Sequence, residues 1–261
     1  MEKSINQHKV YFKNLDALRA IAALSVICFH IGEWLPHPKS VLISNLTQLL
    51  SFNERGGELG VHFFFILSGF LITYLIYSEK KVSGSFQLFK FYLRRALRIW
   101  PLYYFTLIIG FFIFPFFIDD AKEGSSLLMY SLYLANFDNA THPANNGLLG
   151  VQWSVAIEEH FYLFWPLIMM VQKRFFLPLI LLLIIFSEAF YFFNPAWEIR
   201  YLHTISNCRF LFMGGLIAHL SFYNHNLIIK YLDKLNPLGG IIIYSTSLLI
   251  LFFQYQTSLM I

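Results

Sequence analysis

Seven long apolar stretches run through the chain, near positions 15–34, 59–78, 99–118, 150–171, 175–193, 204–222 and 238–261. Each is close to the roughly 20 residues that an α-helix needs to cross the hydrocarbon layer of a bilayer. The composition agrees: 57% of the 261 residues are apolar and 13% are charged, about half the charge of a water-facing domain. The expected fold is all-α, a polytopic transmembrane bundle of seven to eight membrane helices forming a single membrane-embedded domain over 1–261. The eighth candidate, the run 126–137, is too short to cross easily and reads as a re-entrant or surface helix. Arg19 and Asp16 interrupt the first stretch and no small-residue cleavage site follows it, so it reads as a retained helix rather than a signal peptide.

Basic residues set the orientation. With the N-terminus in the cytoplasm, 14 of the 19 Lys and Arg fall on the inner side: Lys3, Lys9, Lys13 and Arg19, six between 79 and 98, then Lys173, Arg174, Lys230 and Lys234. Lys39, Arg55, Lys122 and Arg200 are outside, and Arg209 lies within a stretch. This asymmetry is the positive-inside pattern of a multi-pass inner-membrane protein. It also accounts for the net charge of +4, so no nucleic-acid partner is expected. Cys28 and Cys208 sit in apolar runs and read as buried, inert thiols. The last stretch reaches Ile261 with no polar tail, which reads as a C-terminal truncation of a longer fold.

Charge inside a membrane helix is costly, so each ionisable residue there is a functional candidate. Those residues are Asp16, Arg19, His30, His62, Glu158, Glu159, Glu188 and Arg209. Arg19 and His30 are eleven positions apart. That is close to three helical turns, so both project from one face, about 16 Å apart along the axis. Asp16 is one turn before Arg19 and can pair with it. An imidazole beside a carboxylate is suited to general-base work, and the carboxylate expected to share a cavity with His30 is Glu158, roughly 12 Å into its helix. Glu158 and Glu159 project about 100° apart, so one of them faces His30. Ser154, Glu158 and Phe161 form one stripe, and Val155, Glu159 and Tyr162 the next. The plainer alternative for all these residues is an interfacial ion pair with polar packing.

Arg94, Arg95 and Arg98 precede Trp100-Pro101. Their spacing lets two or three guanidinium groups converge at the inner surface and grip phosphates, as in coenzyme A. Lipid headgroups would serve the same cluster equally well. Ser68-Gly69 and Gly214-Gly215 read as small-residue packing steps between helices, and Ser68 lacks a nucleophile-elbow context. There is no phosphate-binding glycine loop and no metal-ligand spacing, so no metal is expected.

Taken in order, several stretches resemble the acyltransferase 3 family of multi-spanning bacterial membrane acyltransferases. They are Leu15 to Ala23 with His30, Gly60 to Ile72, Arg94 to Pro101, Trp153 to Tyr162 continuing to Trp165-Pro166, and Arg209-Phe210 with Gly214. The similarity covers roughly 14–222 and departs at His62, where the family often has an acid, and at the C-terminal end, where members usually reach about ten helices. The resemblance implies transfer of an acyl group, most often acetyl, from cytoplasmic acetyl-coenzyme A to a hydroxyl of a surface or lipid-linked glycan, such as lipopolysaccharide O-antigen or exopolysaccharide. It also implies catalytic roles for His30 and Glu158 and donor binding by Arg19, Arg95 and Arg98, with Asp16, Ser154, Tyr162 and Arg209 in support. A carrier or flippase for a polar substrate, or an inactive truncated paralogue, are the rival expectations.

Overall fold

The computed structural model describes residues 15–34, 55–117, 124–144, 147–226 and 230. The chain divides into two units, Met1–His219 and Leu220–Ile261, and the first carries every candidate residue. All regular structure among the described residues is helical: α1 (Leu15–Trp34), α2 (Arg55–Ser83), α3 (Leu88–Ile108), α4 (Leu127–Ser131), α5 (Ala135–Thr141), α6 (Gly147–Gly150), α7 (Gln152–Ile168), α8 (Lys173–Phe193), α9 (Trp197–Leu202) and α10 (Thr204–Tyr223). Among the described residues three helical stretches are long and apolar enough to cross a membrane, at 57–83, 88–116 and 173–193. The helices α1, α7 and α10 coincide with three further expected spans. The stretch 238–261 lies outside the described residues.

Two expectations change. The third span was expected to start at 99, with the arginines leading into it. Instead α3 begins at Leu88 and holds Arg94, Arg95 and Arg98 in its body, because the segment before Trp100 continues the helical repeat without a breaker. Past Ile108 the helix widens into a π turn at Ile109–Ile113 and closes with a 3-10 turn at Phe114–Phe116. The run 126–137 is not one helix. It breaks at Tyr133, whose φ of 58° is left-handed, a conformation costing a non-glycine residue roughly 1–2 kcal/mol. Stacking of Tyr133 on Tyr103, with centroids 4.2 Å apart, accompanies that turn.

Close helix contacts rest on glycine. A Cβ on Gly69 of α2 would collide with the backbone carbonyl of Leu211 on α10, and one on Gly214 with the carbonyl of Ile66. The expected small-residue steps therefore form one seam, where missing side chains let two backbones touch. On α7, Trp165 is fully buried, fills the space beside Gly215, and donates its indole N–H to Thr73 Oγ1 at 2.8 Å. Ala22, Ser25 and Val26 of α1 pack on Gly60 of α2, while Ile21, Leu24 and Ile27 face outward. Helical spacing turns Arg19 and His30 away from that outward stripe.

Candidate functional site

The first turns of α7 bring its two glutamates toward different neighbours, as a 100° step per residue requires. Glu159 accepts the Trp100 indole N–H at 3.2 Å on the α3 side. Glu158 faces α2. There Ser68 donates its hydroxyl to Oε1 at 2.9 Å, and Tyr162 donates to Oε2 at 2.7 Å. Tyr162 also stands 3.2 Å from Ser68 Oγ. A phenol has one proton, and the shorter contact takes it, so the three groups close a triangle in which the carboxylate accepts twice. Tyr162, expected on the Glu159 stripe, thus serves Glu158 from one turn further along.

Beside this triangle lies Arg95. Its guanidinium is 5.9 Å from the Tyr162 ring centroid and 5.7 Å from that of Phe91, and its Nε is buried with no hydrogen-bond partner. The charges of Arg19 and Arg95 both reach the Glu158 carboxylate. Arg95 thus lies beside the Tyr162 ring, one helical turn along α7 from Glu158. The convergence expected of the three arginines is divided: Arg94 is tied to Glu79 at 2.8 Å, Arg95 turns inward and Arg98 is exposed. Glu79 also accepts the Gln87 backbone N–H at 3.1 Å, which fastens the end of α2 to the start of α3. Gly84, at φ 71°, makes the turn between them.

The remaining candidates are spread out. Asp16 and Arg19 form the expected pair, with 3.5 Å between their charged atoms. His30 is half-buried on α1, its ring 5.0 Å from that of Phe29, whereas the hydrogen bonds of Glu158 go to Ser68 and Tyr162. Ser154 donates to the Val151 carbonyl at 3.1 Å. Arg209 is buried between α8 and α10, 3.2 Å from Glu188 and 3.6 Å over the Tyr191 ring. His62 stacks on Phe210, with centroids 3.9 Å apart. Among the described residues no three His, Cys, Asp or Glu side chains converge as a metal site would require.

Sequence reading missed Ser68 and Trp100 as polar partners. Their signal is weak, since a Ser-Gly step and an aromatic next to a proline are ordinary packing features. The site as built can orient a carboxylate between two hydroxyls, hold a guanidinium with an unpaired buried Nε beside the Tyr162 ring, and pass a proton from Ser68 to Glu158 over one hydrogen bond.

Residues 12–260 match the family model described as an acyltransferase domain. The peptidoglycan O-acetyltransferase OatA of Listeria monocytogenes is 30% identical over 182 residues, 66% of this chain and 26% of that protein. YrhL of Bacillus subtilis, provisionally named a peptidoglycan O-acetyltransferase, is 33% identical over 178 residues, 63% of this chain and 25% of that protein. A Staphylococcus aureus protein provisionally named an O-acetyltransferase is 30% identical over 179 residues, 63% of this chain and 26% of its own length. The chain spans about a quarter of the length of these relatives. No solved structure matches it.

Proposed function

The chain belongs to the acyltransferase 3 family, and from that premise we propose that it is a membrane O-acetyltransferase. It takes acetyl from cytoplasmic acetyl-coenzyme A and delivers it to a glycan hydroxyl. The names of the relatives narrow the expected acceptor from surface polysaccharides in general to peptidoglycan. The protein sits in the bacterial inner membrane as a single acyltransferase domain of seven to eight spans, with its N-terminus in the cytoplasm, as the basic residues suggest.

The observation that carries this reading is the partly buried Ser68–Glu158–Tyr162 triangle with Arg95 beside the Tyr162 ring. Such a charged group inside an apolar bundle is expensive unless it is used. Arg95 and Arg98 hold the phosphates of the donor and Arg19, steadied by Asp16, positions its polar arm. The free Nε of Arg95 favours this role. His30 removes the proton from the acceptor hydroxyl, Glu158 assists, and Ser154, Tyr162 and Arg209 support the cavity.

The test is mass spectrometry of peptidoglycan from cells with and without the intact gene. A gain of acetyl on glycan hydroxyls supports the reading, and movement of a polar substrate with no acyl modification overturns it in favour of a carrier. A narrower expectation concerns donor binding. Arg95→Ala raises KM for acetyl-coenzyme A about tenfold or more, the value of a lost charge-assisted hydrogen bond, with a smaller change in kcat. Steady-state kinetics in proteoliposomes checks it, and an unchanged KM removes Arg95 from the donor site.

A further inference from the structure

Hydroxyl side chains in membrane helices usually return their proton to a backbone carbonyl in the preceding turn. This chain does so repeatedly. Ser25 donates to Ala22 O at 3.1 Å, Thr73 to Gly69 O at 2.7 Å, Thr106 to Tyr103 O at 2.7 Å, Ser131 to Leu127 O at 2.7 Å and Ser154 to Val151 O at 3.1 Å. Ser68 does not. Its hydroxyl reaches from α2 to a carboxylate on α7, with a phenol 3.2 Å from the same oxygen and a guanidinium behind that phenol.

We propose that Ser68 is a nucleophile that carries the acyl group between donor and acceptor as an oxyester. This rests on the acetyltransferase reading above. A serine bonded to a fixed base is the arrangement that nucleophilic catalysis requires. The backbone under it is also fixed, because the adjacent Gly69 abuts the Leu211 carbonyl, so the hydroxyl is held in one place. A donor reaching the site from the cytoplasm and an acceptor from the far side then need not be present together.

The step balances as follows. Ser68 Oγ attacks the thioester carbonyl while its proton passes to Glu158 Oε1. The carbon–sulfur bond breaks with its electron pair on sulfur, and the thiolate takes the proton from Glu158 and leaves as coenzyme A thiol. The acceptor hydroxyl then attacks the serine ester as His30 takes its proton. The carbon–oxygen bond to Ser68 breaks with its electron pair on oxygen, and the proton that His30 took returns to Ser68 Oγ by way of Glu158, which leaves both bases as they began.

The experiment uses the full chain in proteoliposomes with acetyl-coenzyme A carrying a labelled acetyl group, first without acceptor and then with soluble peptidoglycan glycan fragments. Acid-quenched wild-type protein is expected to carry one labelled acetyl on the peptide containing Ser68, stable to neutral hydroxylamine as an oxyester is, and discharged by the fragments. Ser68→Ala loses the adduct and about a hundredfold in transfer rate. Ser68→Cys, which preserves shape, acquires a hydroxylamine-labile adduct at the same position, and this arm holds even if the alanine variant folds poorly. Wild-type transfer with no adduct and full activity in Ser68→Ala overturns the acyl-serine while leaving the acetyltransferase reading intact. Label on another residue, such as Tyr162 or His30, also overturns it. No transfer and no adduct from wild-type protein overturns both.

Discussion

Replacing His30 with alanine is expected to lower acetyl transfer about a thousandfold, within the range that a positioned general base contributes, while the protein remains folded. His30 is half-buried on α1, and that helix is also seated on α2 by Phe29 against Gly57 and by Ala22, Ser25 and Val26 against Gly60. Loss of the ring removes the proton acceptor without opening the helix pair. Transfer of labelled acetyl to peptidoglycan fragments, measured beside a size-exclusion profile, separates the two effects. His30→Gln, which keeps a polar side chain but not a base, should be equally slow. A variant with a wild-type rate removes His30 from the reaction. The two halves of the proposed sequence also separate here: the alanine variant still loads Ser68 from the donor and then fails to discharge it.

The second large effect is on folding. Gly214→Leu is expected to cost about 3 kcal/mol or more, at the upper end of overpacking penalties, because its first side-chain atom would collide with the Ile66 carbonyl oxygen. A side-chain neighbour could rotate aside, but a backbone carbonyl in a continuous helix cannot, so α2 and α10 must move apart. Gly124→Ala, where a Cβ meets nothing within 4 Å, is the matched control and should change stability by less than about 0.5 kcal/mol. The fraction of protein remaining monodisperse in detergent after graded heating reads both. A Gly214→Leu variant as stable as wild type would show that the α2–α10 seam is not needed for packing. Any surviving Gly214→Leu protein should also be slow, since Ser68 lies next to Gly69 in the same seam.

The helices were largely legible in the chain. The spans at 15–34, 175–193 and 204–222 match α1, α8 and α10 to within a residue or two, because long apolar runs bounded by polar residues leave the backbone little choice. The Asp16–Arg19 pair and the divergence of Glu158 from Glu159 followed from helical spacing alone. The start of α3 was not legible, because three arginines look like a boundary by hydropathy although they continue a helix without strain. The break at Tyr133 was hidden as well, since nothing in a tyrosine announces a left-handed turn. Ser68 was read as packing, and only the neighbouring helix makes it more.

Spacing along one helix is a local property, so the chain by itself determined that its described regular structure is helical, which faces carry charge, and that Arg19 and His30 share one of them. Which helix meets which is decided by contacts between residues far apart in sequence, and no periodicity encodes them. Tertiary packing therefore decided that Ser68 meets Glu158 across 90 positions, that Arg95 and not Arg94 turns inward, and that glycine sets how closely α2 and α10 approach.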